Sequence, residues 1–270
     1  MRLVAQLARG LWIVSMRFPR LAPDAQDREL ERWARQLLAI LRVEVRCHNA
    51  PAALPERCLL VANHTSWLDI FAVFAVAPSL FVAKSDIRDW PVVGTLVARA
   101  GTLFIERGNR RHAQATNGRV AAALETGRLV AVCPEGTTTD GRSLKHFHPA
   151  LLQPAIDARA MVLPVALRYL DAAGVQTDAA AFVGDDSLVG SILRIVSTPS
   201  MCVELRFVPC VNADGMHRRD LTRLTYDLIA HELGLPPAHR ASGTTGDPRA
   251  GLPTGAPPTR SPYPAPADQG

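Results

Sequence analysis

A histidine and an aspartate stand five residues apart, between two apolar runs. Residues 59–62 read as a buried strand and the run from Trp67 as a helix, so His64 and Asp69 flank the turn between them. Helical phase alone would leave the two side chains roughly 140° apart, whereas a bend brings them together. A carboxylate on one imidazole nitrogen fixes the tautomer and leaves the other nitrogen as a general base.

Two simpler interpretations of these residues stay open at this point. Ser66 precedes Asp69 by three residues, as at many helix starts, so Asp69 could only cap the helix, with His64 a loop histidine. His64, Asp69 and Glu135 are also side chains that bind metals, but the close histidine spacing typical of metal sites is missing. We therefore predict no metal.

Three later stretches follow the 63–69 segment in a recognisable order, and together they resemble the motifs of one family. The segments are Asn63-His64-Thr65-Ser66-Trp67-Leu68-Asp69, Gly101-Thr102-Leu103-Phe104-Ile105-Glu106-Arg107, Pro134-Glu135-Gly136-Thr137 and Val162-Leu163-Pro164-Val165. The chain thereby resembles the glycerolipid acyltransferase family, whose bacterial type member is 1-acylglycerol-3-phosphate acyltransferase. The third motif departs from the family at Thr138, where arginine is usual.

The resemblance implies roles for particular residues. His64 would be the general base and Asp69 its orienting partner, while Glu135, Gly136 and Thr137 would bind the acceptor. Arg107 ends an apolar strand, where an unpaired charge is costly, and we predict that it binds a phosphate. No nucleophile elbow of the type GxSxG occurs anywhere in the chain, so no acyl-enzyme is expected.

The resemblance also implies an activity. It is O-acyl transfer from acyl-CoA or acyl carrier protein to a lysolipid hydroxyl, with no bound cofactor. The leading acceptor is 1-acyl-sn-glycerol-3-phosphate, which gives phosphatidic acid. Alternatives are another lysolipid such as lyso-ornithine lipid, or a lipid or thioester hydrolase that uses water. Donor type, chain length and oligomeric state are left open.

Strand and helix patterns alternate from residue 47 to 236, which predicts an α/β fold with a mixed central sheet flanked by helices. An N-terminal amphipathic helical segment, residues 1–46, precedes this catalytic domain. Residues 237–270 are rich in Pro, Gly, Ala, Thr and Ser and predict a disordered tail. The five cysteines are scattered and odd in number, which favours buried thiols in a reducing compartment.

The N-terminal segment carries most of the net charge. Residues 1–46 hold nine arginines and five acids, which gives +4 of the chain's +5. The apolar run 3–16 is too short to span a bilayer, which needs about 20 residues, but suits an interfacial helix. Packing on the protein's own core is an equal alternative. We predict a peripheral enzyme on the cytoplasmic face of the inner membrane, with no nucleic-acid partner because no basic and aromatic residues interleave.

Overall fold

The computed structural model describes residues 1–90, 92–106 and 110–238, and within them strands and helices alternate as predicted. The strands are β1 (Val43–His48), β2 (Cys58–Ala62), β3 (Leu80–Lys84), β4 (Leu103–Ile105), β5 (Val130–Val132), β6 (Met161–Asp171), β7 (Met201–Phe207) and β8 (Val211–Asn212). The helices are α1 (Arg2–Trp12), α2 (Pro23–Ile40), α3 (Leu68–Phe74), α4 (Val93–Arg99), α5 (Arg110–Glu125), α6 (Gln153–Asp157), α7 (Leu188–Ser197) and α8 (Arg218–Leu233).

All eight strands join one mixed sheet, which confirms the predicted fold class. The order is β1-β7-β6-β2-β5-β3-β4, and β8 pairs with β6 beside β7. Pairing is parallel except between β6 and its neighbours β7 and β8. Strands β2 and β5 lie side by side in the centre, so the turns that follow them meet at one edge of the sheet.

Strand β6 contains a proline although it lies inside the sheet. Pro164 pairs with Val61 of β2 on one side. On its other side the β8 pairing ends at Val162 and the β7 pairing begins at Val165. Proline lacks an N–H to donate, and this break between two partner strands is where none is required. The apolar motif predicted around Pro164 is therefore a central strand.

Two hydrophobic layers cover the sheet. On one face α1, α2, α3 and α7 pack together, and on the other face α5, α6 and α8 do. The segment before α2 contributes Ile13, Val14 and Phe18 to the first layer. The buried strand β2 supplies side chains to both layers in alternation, because successive residues of a strand point to opposite faces.

The N-terminal segment packs on the domain more closely than its sequence alone indicated. The helical pattern of the sequence groups Leu3, Val4, Leu7, Leu11 and Val14 on one apolar face; all of these except Val4, which is 69% exposed, lie against the core. Gly10 permits this contact, since a Cβ there would lie 2.7 Å from the Trp33 indole. After α1 the chain continues as a π-helical turn, Ile13–Arg17, and a 3₁₀ turn, Phe18–Arg20.

Beside this packed face runs an apolar stripe in contact with solvent. We call Val4, Ala8, Trp12 and Met16 the α1 stripe; they recur every fourth residue and are exposed. None of the described helices is both long and apolar enough to cross a bilayer.

The two predicted domain boundaries, after residues 46 and 236, both fall within described parts of the chain. Residue 46 lies inside β1, which pairs with β7, so the sheet includes the end of the N-terminal segment. Residues 237 and 238 are described, and the backbone N–H of Ala238 donates to Asp227 Oδ1 at 2.8 Å. The rest of the predicted tail, 239–270, lies outside the described residues.

Candidate active site

The turn after β2 is held by the Asn63 side chain, which makes the kind of paired hydrogen bonds that a strand backbone makes. The Asn63 amide donates to the Leu167 carbonyl at 2.9 Å and accepts from the Leu167 N–H at 2.7 Å. This pair of bonds continues the β2–β6 ladder one residue beyond the last residue of β2. Asn63 is 1 % exposed, and its two hydrogen bonds fix the direction in which the chain leaves β2 at His64.

The predicted histidine–aspartate pair is present at this turn. His64 Nδ1 lies 2.8 Å from Asp69 Oδ2, with the aspartate 1 % and the histidine 19 % exposed. The same Oδ2 accepts the backbone N–H groups of Thr65 and Ser66 at 2.7 and 2.9 Å. Asp69 therefore caps the start of α3 and orients His64 at once. The two interpretations offered for it are compatible.

A tyrosine that sequence reasoning missed completes the pair. Tyr169 in β6 donates its hydroxyl to Asp69 Oδ1 at 2.7 Å and is 2 % exposed. Both carboxylate oxygens of Asp69 are thus fixed by hydrogen bonds. Burial, with the Asp69 charge beside it, raises the pKa of Tyr169 well above its usual value, so the hydroxyl stays protonated as a donor.

The surroundings of His64 favour its charged form. Burial lowers the pKa of the imidazole, but the neighbouring Cys133 thiol and Asp69 outweigh that effect and leave the pKa well above its usual value. Cys133 is itself buried, which raises the pKa of its thiol. Its Sγ also donates to the Asn63 carbonyl at 3.8 Å.

The Pro-Glu-Gly-Thr turn after β5 is tied to the histidine by Glu135. Its Oε1 accepts the His64 backbone N–H at 2.7 Å, and its Oε2 accepts the Lys145 backbone N–H at 2.8 Å. Burial raises the pKa of Glu135 to about 7. The carboxylate therefore ties the turn after β2 to the loop that follows β5. Substrate contact by Glu135 stays a prediction.

The rest of this turn faces outward. Gly136 adopts a φ of 66°, a left-handed conformation that glycine tolerates best, and its N–H donates to the Cys133 carbonyl at 3.1 Å. The Gly136 N–H is therefore already engaged in a hydrogen bond within the turn. Thr137 is exposed. Acceptor binding by Gly136 and Thr137 stays a prediction, and Arg107 lies outside the described residues.

Thr138, the departure from the family pattern, is engaged by its own protein. Its hydroxyl donates to the Phe182 carbonyl. A cation nevertheless lies at this position, because Lys145 Nζ approaches the Thr138 carbonyl at 3.4 Å. The neighbouring Thr139 N–H donates to the His64 carbonyl at 2.9 Å. This loop therefore packs directly on the histidine turn and carries an exposed positive charge.

Fold and site together define an α/β protein with a buried carboxylate and an accessible imidazole at the carboxyl end of a parallel strand. In such a pair the Nε2 atom is free to accept a proton, which is general-base chemistry. We expect a hydroxyl or water to be activated here. Geometry alone does not choose between those two.

Comparison with known proteins identifies the class of protein as an acyltransferase. A model of the family described as Acyltransferase matches residues 42–168. A 1-acyl-sn-glycerol-3-phosphate acyltransferase of Neisseria meningitidis is 40% identical over 73% of this chain and 76% of its own. A lyso-ornithine lipid O-acyltransferase of Pseudomonas aeruginosa is 37% identical over 82% of this chain and 87% of its own.

A solved structure shares the fold. The 1-acyl-sn-glycerophosphate acyltransferase of Thermotoga maritima superposes with a TM-score of 0.59 at 20% identity, covering 86% of each chain. The protein belongs to the glycerolipid acyltransferase family and is an acyltransferase. The family assigned from the four motifs is confirmed.

We expect Tyr169→Phe to lower stability and to alter the pH dependence of turnover. The change removes one hydrogen bond to a buried carboxylate, a loss of about 1.5–3 kcal/mol, while keeping the ring that fills the core. The Asp69 charge is then less stabilised and acts more strongly on His64, so the pH midpoint of the rate should rise. Thermal unfolding and a pH–rate profile measure both effects. Tyr226→Phe, which loses only a 3.4 Å contact with the Leu144 carbonyl, is the control and should leave the midpoint unchanged.

Proposed function

We propose that the protein transfers a fatty acyl group from acyl-CoA or acyl carrier protein to the hydroxyl of a lysolipid. The leading acceptor is 1-acyl-sn-glycerol-3-phosphate, and the product is then phosphatidic acid. The observation that carries this proposal is the 2.8 Å contact between His64 Nδ1 and the buried Asp69 carboxylate, at an open edge of the sheet. The names of two similar proteins supply the acceptor classes.

The chemistry needs only this pair and a positioned donor. His64 Nε2 takes the proton of the acceptor hydroxyl as its oxygen attacks the thioester carbonyl. The new ester bond forms, the carbon–sulfur bond breaks, and the thiol leaves with a proton from the imidazolium. Asp69 stabilises that imidazolium, and no covalent acyl-enzyme is required because a thioester is already activated.

Glu135 is proposed as a positioning residue within this mechanism. It holds the backbone of His64 and of Lys145 through two partly buried hydrogen bonds. A shift of the His64 backbone moves the base away from the hydroxyl, and misplacement of about 1 Å is costly in catalysis. Contact of Gly136, Thr137 and Arg107 with the acceptor is proposed from the family motifs.

Lys145, in the loop after β5, is a candidate for recognition of a phosphate. The family arginine is replaced by Thr138, whose hydroxyl already bonds to Phe182. The Lys145 ammonium lies 3.4 Å from the Thr138 carbonyl and is exposed. We propose that Lys145, with Arg107, supplies the positive charge that the missing arginine would bring. This arrangement supports a phosphate-bearing acceptor.

Lyso-ornithine lipid is the second candidate acceptor. It is favoured by Thr138, which brings no charge, and by a relative of that name that aligns with 82% of the chain. Acyl transfer to water, as in a hydrolase, is a third outcome that the same base could perform.

We predict that acceptor preference follows the charge around Thr138. Lys145→Ala and Arg107→Ala should each raise the KM for lysophosphatidic acid about tenfold or more, because a charge-assisted contact contributes about 1.5–3 kcal/mol. Thr138→Arg should leave that KM equal or lower it. The measurement is a panel of lysolipids with one labelled acyl thioester. Arg142→Ala, which alters an exposed arginine in the same loop, is the control.

The result would go against lysophosphatidic acid if the wild-type protein ignored it and acylated lyso-ornithine lipid. In that case the three substitutions should have little effect on KM. Lyso-ornithine lipid would then replace lysophosphatidic acid as the proposed acceptor.

The N-terminal segment is proposed to hold the enzyme on the cytoplasmic face of the inner membrane. The α1 stripe exposes Trp12 and Met16, with Trp12 at 56%. Residues 1–20 contain four arginines and no acid, which suits an anionic lipid surface. Electrostatic binding of this kind weakens as salt rises. Residues 47–236 would form the catalytic domain held above the lipid.

A further inference from the structure

A second set of apolar side chains is exposed on α7. Val189, Leu193 and Val196 are 68%, 62% and 50% exposed, and their spacing places them on one side of the helix. Val183, in the loop before the helix, is 38% exposed. We call these four residues the α7 rim. With the α1 stripe, it includes most of the large apolar side chains that are exposed in the described part of the chain.

Packing of α7 on the protein does not explain the rim. The inner side of the helix is provided by Ser191 and Ile195, which are 1% and 0% exposed. Ile195 belongs to the same core layer as the N-terminal segment. The helix thus has its own buried face, and the outward stripe is additional. Contiguous apolar surface of this kind marks a contact with lipid or with another molecule.

The rim borders the catalytic turn. The indole N–H of Trp67, inside the motif, donates to Ser191 Oγ of α7 at 3.0 Å. The N–H of Phe182, one residue before Val183, donates to the Thr65 carbonyl at 3.0 Å. A surface in contact with the rim therefore lies beside His64.

The rim and the α1 stripe occupy the same layer of the molecule. Edge-to-face contacts lead from Trp67 to Phe71 and from Phe71 to Trp33, with ring centroids 5.9 and 5.6 Å apart. Trp33 lies under Gly10 of α1. Helices α1 and α7 thus border the layer that covers one face of the sheet. An extended surface can touch both at once, whereas a small soluble partner covers one.

We propose that the α7 rim is a second lipid-contacting surface, which enters the apolar boundary of the bilayer beside the catalytic turn. This inference rests on the proposed function in one respect, since the acceptor is an amphiphile that resides in that bilayer. The four arginines of residues 1–20 would supply electrostatic attachment, and the rim would bring the site down to the lipid.

The charges near the rim distinguish its contact from that of α1. Arg194 is the one charged residue within α7, and its guanidinium lies 2.9 Å from Asp186. Asp185 is a further exposed acid in the preceding loop. Binding through the rim should therefore be apolar and insensitive to salt, unlike binding through the four arginines of residues 1–20.

The test compares Leu193→Glu with Ala115→Glu in the full-length protein. Each change adds one carboxylate at an exposed helical position, but α7 and α5 cover opposite faces of the sheet. Binding to phosphatidylcholine–phosphatidylglycerol vesicles is measured at low salt and at about 0.5 M salt, where charge attraction is screened. Turnover of a water-soluble short-chain lysolipid serves as the measure of an intact site.

We expect Leu193→Glu to weaken vesicle binding about tenfold or more at both salt concentrations, because a carboxylate is costly in hydrocarbon. Ala115→Glu should bind like wild type, and both variants should turn over the soluble lysolipid within about twofold of wild type. Equal vesicle binding by Leu193→Glu and wild type would overturn the proposal. So would loss of turnover on the soluble acceptor, or a wild-type dimer that Leu193→Glu makes monomeric.

Failure of the proposed function would give a different result. A wild-type protein that acylates no lysolipid, soluble or in vesicles, refutes that function. Vesicle binding is measured independently of catalytic activity. The comparison of Leu193→Glu with Ala115→Glu would therefore still decide the role of the rim.

Discussion

His64→Ala is expected to abolish most acyl transfer while the fold stays intact. The imidazole is the proposed base, and loss of a general base costs about 10²–10⁴ in rate. Its side chain is 19% exposed and its backbone is held by Glu135 and Thr139, so the turn should survive the change. The measurement is kcat with a saturating lysolipid, alongside thermal unfolding. His146→Ala, on an exposed loop, is the matched control and should keep wild-type turnover.

The pH dependence of turnover is a second test of His64 as the general base. The pKa of His64 is raised, and only the neutral imidazole can take a proton. Turnover should therefore rise with pH through the range in which His64 loses its proton. A folded His64→Ala protein with near wild-type turnover, or a wild-type rate that falls across that range, would rule out His64 as the base.

Asp69→Asn is expected to cause the second large loss. The amide oxygen of asparagine can still accept from Thr65, Ser66 and His64, and the Tyr169 hydroxyl can turn to accept from the amide nitrogen. The structure should therefore tolerate the change, but the charge that stabilises the imidazolium is gone. We expect turnover to fall by about 10²–10⁴, by analogy with the loss of the aspartate charge in Ser-His-Asp enzymes.

The direction of the pH shift distinguishes loss of charge from general disruption. Asp69 raises the pKa of His64, so Asp69→Asn should move the pH midpoint of turnover downward. Tyr169→Phe keeps the charge and should move it upward. A midpoint that stays unchanged in Asp69→Asn would mean that the carboxylate acts only as a helix cap.

The sequence was sufficient to predict the order of elements and the His64–Asp69 contact. Both depend on local patterns: apolar runs of strand and helix length, and a polar turn between them. The short strand β8 was missed because two residues carry no periodicity. Residues 149–157 form a 3₁₀ turn, Pro149–Leu151, followed by the short α6, and local patterns did not indicate this division.

Contacts between distant residues could not be predicted in this way. Tyr169 lies a hundred residues from Asp69 and, in an apolar strand, looks like an ordinary core residue. The motif placed Glu135 at the site, but only the fold reveals that backbone N–H groups occupy both of its oxygens. The apolar pattern of the first helix grouped Leu7 and Leu11, which pack inward, but it placed Val4 on the same face, whereas Val4 is exposed.

The central claim is that His64 and Asp69 direct an acyl group to a lysolipid hydroxyl and not to water. The most direct measurement follows a labelled acyl thioester with purified protein, with and without lysolipid. We predict a labelled two-chain lipid only when the acceptor is present, and its loss in His64→Ala. Release of labelled free fatty acid at the same rate with and without acceptor would contradict the account, because the protein would then be a hydrolase.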